Sequence, residues 1–184
     1  MNIKTIQKNK YFLIILLFFI LATFLLYSKN VKKADFSQGS IKEEQGQIIS
    51  GDFDQKKLKS KNEWKQILSD EQYYILQEAG TEAPYTGVLN DEKRSGTYYS
   101  IGCDKPLFRS EQKFDSGTGW PSFWAPVDTN AVVLRREGGL GGNRIEVLDT
   151  CGGHLGHVFD DGPKPTGKRY CMNSVALKFI PDKK

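Results

Sequence analysis

A run of seventeen uncharged, mostly aliphatic and aromatic residues, Tyr11 to Tyr27, follows Lys4, Lys8 and Lys10 and precedes Lys29, Lys32 and Lys33. At about 1.5 Å rise per residue it reaches the short end of what spans a bilayer. It carries no charge, so a core helix is disfavoured and two readings remain: an uncleaved anchor or a cleaved signal peptide. The anchor is preferred because the run is long for a signal core and no small-x-small cleavage pattern follows. No Cys near its end marks a lipoprotein. Residues 28–60 are polar and poor in aromatics, the composition of a flexible tether. The pattern changes at Lys61, where Trp64, Ile67 and Leu68 take helical spacing. Ser69 and Gln72 then form a capping-box signal for a second helix to about Glu78, ended by Gly80. Beyond it come β-type segments at Thr97–Ile101, Val132–Arg136, Arg144–Leu148 and Tyr170–Ile180, separated by glycine-rich turns. The organisation is a basic segment (1–10), an anchor or signal peptide (11–27), a tether (28–60) and a mainly β domain (61–184) led by two helices.

Charge and cysteine content narrow the function classes. The net charge of +4 is local: residues 1–50 hold seven lysines and three acids, while the rest holds 19 basic and 19 acidic residues. A near-neutral folded part argues against nucleic acid as a partner. Three cysteines are too few for a disulfide scaffold, and their odd number leaves at least one thiol free.

The chemistry-bearing residues gather near the C-terminal end. Cys171 and Asn173 are two apart, so on a strand they share a face, with Val175, Leu177 and Phe179 continuing it. Lys168 and Arg169 precede the thiol, and cationic neighbours favour the nucleophilic thiolate. His154 and His157, the only histidines, lie three apart around Gly156, a spacing that a tight turn can aim in one direction and a flat strand cannot. A Cys on a strand is commonly a small core residue, but a thiol with a nearby base and an orienting amide has the pattern of thiol catalysis. Phe114 to Trp124 places two glycines and a proline around aromatic residues. It is either core packing under a turn or an apolar wall, with Trp120 as a flat surface for a small alkyl group.

Gly80-Thr81-Glu82, Leu107-Phe108, Phe114 to Phe123, His154 to Phe159, Asp161-Gly162-Pro163 and Arg169 to Pro181 together resemble the B-type peptide-methionine (R)-S-oxide reductases, from about Asn62 to Pro181. The resemblance implies two antiparallel sheets with short N-terminal helices. It implies reduction of the R epimer of methionine sulfoxide in peptides, as a repair of oxidised proteins. Cys171 would be the nucleophile, His154, His157 and Asn173 would handle the sulfoxide oxygen, and Trp120 would take the ε-methyl group. Phe159 and Arg169 would also bind substrate. A sulfoxide sulfur is a poor electrophile until its oxygen is protonated, and histidine can supply that proton. Attack would leave a sulfenic acid on Cys171.

The chain departs from the family pattern in two places. Many members bind a structural zinc through two Cys-x-x-Cys pairs. Here both are halved, to Ser100-Ile101-Gly102-Cys103 and Leu148-Asp149-Thr150-Cys151, so neither zinc nor any other cofactor is expected. Members without zinc carry a recycling Cys in the aromatic loop, where this chain has Thr118. By resemblance Cys103 and Cys151 lie near each other. They form a disulfide in place of the metal, or one of them resolves the sulfenic acid, or an external thiol acts directly on Cys171. The expected partners are oxidised methionine in proteins, a thioredoxin-like reductant and a membrane engaged by the N-terminal helix. The catalytic domain is expected outside the cytoplasm. A cysteine hydrolase would use the same Cys and His without consuming reductant, and a binding module would tolerate Cys171→Ser.

Overall fold

The computed structural model describes residues 47–138 and 144–183. The expected anchor, with most of the tether, lies outside the described residues. No helix among the described residues is long and apolar enough to cross a membrane.

Two short helices lead the domain, each started by a capping box that satisfies orphan N–H groups reciprocally. In α1 (Lys61–Ile67) the box joins Ser60 and Glu63, and in α2 (Asp70–Glu78) it joins the expected Ser69 and Gln72. The left-handed residue that closes α2 is Ala79 (φ 51°), not Gly80. Gly80 is required for space instead, since a Cβ there would lie 2.3 Å from the Tyr74 ring.

The strands form two antiparallel sheets. The larger holds β1 (Gln47–Ser50), β4 (Lys113–Phe114), β5 (Ser122–Phe123), β6 (Val132–Arg136), β7 (Ile145–Asp149), β8 (His154–Phe159) and β9 (Arg169–Met172). Their order is β1-β6-β7-β8-β9-β5-β4. The smaller sheet holds β2 (Gly96–Ser100), β3 (Pro106–Arg109) and β10 (Leu177–Pro181), in the order β10-β2-β3. Residues 47–50, read from the sequence as tether, pair with β6. Farther along, the Asp54 N–H donates to Thr150 O at 2.7 Å.

Side chains alternate across the large sheet, and one face closes on the small sheet. Phe123 and Tyr170 are register partners on adjacent strands. Phe108 of β3 stacks on Phe123 with ring centroids 4.4 Å apart, and Tyr98 of β2 meets Phe123 edge-on at 4.9 Å. Tyr98, Phe108 and Phe123 are fully buried, each such side chain contributing roughly 2–3 kcal/mol.

The single strand expected over Tyr170–Ile180 is two strands in different sheets. A 3₁₀ turn over Ser174–Ala176 separates β9 from β10. The cause is a buried carboxylate far away in sequence: the N–H groups of Ser174 and Val175 donate to Glu82 Oε1 (2.7 Å) and Oε2 (3.0 Å). Donors held by a carboxylate are lost to a strand ladder, so the chain turns and crosses between sheets.

Candidate active site

The register aligns one residue from each strand across the large sheet. Arg135 of β6 faces Glu146 of β7, Glu146 faces His157 of β8, His157 faces Cys171 of β9, and Cys171 faces Ser122 of β5. Directly opposed residues share a face, so four polar side chains flank the nucleophile in one row. Phe123 and Tyr170, one residue along, point the other way into the core.

His154 reaches the same row through an irregularity. It lies three positions before His157, which on a regular strand would put the two on opposite faces. The β7–β8 register slips between Val147 and Leu148, so that Gly156 pairs with Val147 and His154 with Leu148. Leu155 is the extra residue of a β-bulge, and the bulge restores both histidines to one face. Their rings meet edge-on, 5.3 Å apart. Asn173 holds the bulge, accepting from the Glu82 N–H through Oδ1 (3.0 Å) and donating from Nδ2 to Leu155 O (3.1 Å). Gly156 is required by close approach, because a Cβ there would lie 2.1 Å from Cys171 O.

Two carboxylates orient the imidazoles. Burial works to raise Glu146, yet hydrogen bonds and charges from His154 and Arg135 hold it below the usual carboxylate value. An ionised carboxylate only accepts. His154 Nδ1, 2.8 Å from Glu146 Oε1, therefore carries the proton, and Arg135 closes the other oxygen at 2.7 Å. His154 Nε2 is buried without a partner among the described residues. Glu137 is likewise held low, burial notwithstanding, by His157 and Arg144. It accepts from His157 Nε2 at 2.9 Å and from Arg144 Nε at 2.9 Å. Burial lowers the His157 pKa more than Glu137 raises it, so the ring is neutral at pH 7.

Cys171 is the free cysteine, and its thiol is raised above the ordinary value. Burial is the largest cause, opposed by Thr118, Arg169 and Ser122. The expectation that adjacent cations favour the thiolate holds for Arg169, which pulls the thiol down, but burial outweighs it. Lys168 is paired with Asp160, and Arg169 makes two bonds to Asp161 at 2.9 and 2.8 Å. The Arg169 guanidinium also lies over the Phe159 ring, 4.4 Å from its centroid. A hydroxyl chain touches the sulfur: Thr118 Oγ1 lies 3.9 Å from Cys171 Sγ, Ser116 2.8 Å from Thr118, and Ser122 2.7 Å from Ser116.

Cys171, His157, Asn173, Trp120 and Phe159 line one cavity of about 190 Å³ with Thr81, Arg144, Gly156 and Met172. Trp120 is fixed by donation from Nε1 to Glu82 O at 3.1 Å. His154 lies behind this wall, and Arg169 braces it from the side through Phe159. Cys103 and Cys151 are buried and bonded to each other. Sequence reasoning missed Arg144, Glu137, Glu146 and the structural part of Glu82. A signal existed for Glu146, a charge set between Ile145 and Val147 within a strand; Glu137 offered none, because its partner is twenty residues away.

A shielded thiol opposite a neutral imidazole, in a small cavity with an aromatic wall, defines a thiol-dependent enzyme for a compact, partly apolar group. Residues 68–181 match the SelR domain. The chain is 54% identical over 128 residues to the peptide methionine sulfoxide reductase MsrB of Pseudomonas putida (strain W619), covering 69% of this chain and 96% of that protein. The protein of the same name from Methanosarcina barkeri is 52% identical, over 66% of this chain and 86% of its own. That of Leptospira interrogans is 50% identical, over 66% and 93%. The chain belongs to this family, the B-type methionine sulfoxide reductases.

Proposed function

We infer that this protein is a peptide-methionine (R)-S-oxide reductase, an oxidoreductase that returns oxidised methionine in peptides and proteins to methionine. The observation that carries the assignment of roles is the opposition of His157 and Cys171 across one cavity with Trp120 in its wall. A raised thiol and a lowered imidazole form a neutral pair at rest, and that pair holds the one proton the reaction needs. The Cys171 sulfur attacks the sulfoxide sulfur while His157 relays the thiol proton to the oxygen. The substrate S–O bond breaks, a Cys171 S–O bond forms, and the products are methionine and Cys171 sulfenic acid. Oxygen on the polar row and methyl against Trp120 select the R epimer.

The sulfenic acid is cleared by a thiol from another molecule, a thioredoxin-like dithiol. The first thiol forms a mixed disulfide with Cys171 and releases water. The second displaces Cys171 as a thiol and leaves the donor oxidised. Supporting this are the hydroxyl of Thr118 beside the sulfur and the mutual bonding of Cys103 and Cys151. The apolar run at 11–27 anchors the chain in a membrane with the catalytic domain outside the cytoplasm, where exported proteins are its substrates. The uncharged run and its basic start support this placement, while lysines on both sides leave charge asymmetry neutral.

A single-turnover experiment tests the chemistry. Without reductant, one equivalent of methionine should form per chain, with a sulfenic acid on Cys171 captured by dimedone. Methionine release without any captured sulfenic acid would refute the proposed step.

A further inference from the structure

The two turns that carry Cys103 and Cys151 lie where the family resemblance implies a structural zinc, and their donor set can be tested for that use. A structural zinc needs four convergent donors, with its cysteines as thiolates. Cys103, Asp149 and Cys151 do converge, their ligand atoms lying within 4.8 Å of one another. Neither sulfur is a thiolate, however, because Cys103 and Cys151 are joined, with Cα atoms 5.7 Å apart. Asp149 is also occupied. Oδ1 accepts from the N–H groups of Cys151 and Gly153, both at 2.9 Å, and Oδ2 accepts from Ser100 Oγ at 2.5 Å. Ser100 Oγ in turn accepts from the N–H groups of Gly102 (3.1 Å) and Cys103 (2.9 Å). The residues present do not fit a metal ion.

They fit something else. Ser100 ends β2 in the small sheet and Asp149 ends β7 in the large one. Each turn is folded around its own side-chain oxygen, and two links then cross between them, the Ser100–Asp149 hydrogen bond and the disulfide. Ser100 and Asp149 are fully buried, Cys103 is 4% exposed and Cys151 2%. We propose that this paired link replaces the metal, so that the folded domain is metal-free and its two sheets are held by a redox-labile bond. The bond forms from two thiols by exchange with a disulfide oxidant: Cys103 and Cys151 lose two electrons and two protons, and the oxidant leaves as two thiols. An oxidising compartment supplies such oxidants.

The link is shielded from the cycle at Cys171, a point that rests on the reductase reading. Trp64 packs against the two sulfurs, with Leu68 and Tyr73 around it. An attacking thiolate must reach a disulfide sulfur directly, so the dithiol that regenerates Cys171 leaves Cys103–Cys151 intact. One thiol turns over while one disulfide persists in the same chain.

Thiol and metal counts test the replacement whether or not the protein turns over. The full-length chain, purified without reductant, should show one maleimide-reactive thiol after denaturation and no stoichiometric metal by atomic emission. EDTA should leave its melting temperature unchanged, and reduction of the disulfide should lower it by about 10 °C. Three reactive thiols with one chelator-removable metal per chain would overturn the proposal. A folded protein whose melting temperature is indifferent to disulfide reduction would overturn the staple. After turnover with a dithiol donor the denatured thiol count should stay at one, and a count of three would overturn the shielding alone. The double substitution S100C/D149C restores four sulfurs. Purified under reducing conditions, it should take up one cobalt(II) with thiolate-to-metal absorption and become EDTA-sensitive; a folded variant that binds none would show that the two turns do not stand in a metal's place.

Discussion

Burial raises the Cys171 thiol although Arg169 and two hydroxyls pull the other way, and that balance decides its reactivity. Iodoacetamide reacts with the thiolate, so its rate with native protein at pH 7 should be below that of a free cysteine. The rate should climb about tenfold per pH unit until a pKa above the ordinary thiol value of about 8.5 is passed. A plateau below pH 8 would contradict the burial argument. Glu146 acts on the same row through His154 and Arg135. Glu146→Gln keeps the shape but leaves the half-buried Arg135 beside a neutral amide, and removing one partner of such a pair costs about 1–3 kcal/mol. Urea denaturation should register that loss, and kcat should fall with KM nearly unchanged if the residue positions an imidazole instead of contacting substrate.

At the scale of elements, the β8 bulge is the device that makes His-x-x-His usable. Gly156→Ala should force the β8–β9 backbones apart, destabilising the domain by about 1–3 kcal/mol. It should also reduce activity more than the stability loss alone explains, because His157 and Cys171 are opposed across that very contact. How far such features can be read in the chain depends on the range of their causes. The Ser69–Gln72 capping box is local, and the expected helix is there. The thiol, both histidines, Trp120 and Asn173 stand in one recognisable order, and all but His154 line the cavity. The bulge is a matter of register between strands, which periodicity does not show. The break between β9 and β10 comes from Glu82, some ninety residues before it. The pairing of Glu137 with His157 depends on a hairpin that aligns β6 and β7 with β8. The cation effect of Arg169 on Cys171 is present but is outweighed by burial, which spacing along the chain does not show.

Over the whole molecule, the two sheets divide the work. The inner face of the large sheet joins the small one in an aromatic core, and the polar row lies on the other face. That row depends on carboxylates held below their ordinary values: Glu137, Glu146 and, beside the cavity, Asp161. A carboxylate with a lowered folded pKa contributes stability that is present above its unfolded value and lost as pH falls through the folded one. Stability measured by denaturant titration should therefore begin to decline as pH falls below the ordinary histidine value of about 6.5, where His157 is held neutral, and decline further below about pH 4. A decline already complete at pH 6 would assign the stability to other groups.

The most direct test of the central claim is reduction of separated R and S epimers of a peptide methionine sulfoxide by the full-length chain, with dithiothreitol as reductant and Cys171→Ser beside it. The account predicts turnover of the R epimer alone, abolished by the substitution. Turnover of neither epimer by a folded, reduced protein, or R-epimer turnover that survives Cys171→Ser, would contradict it.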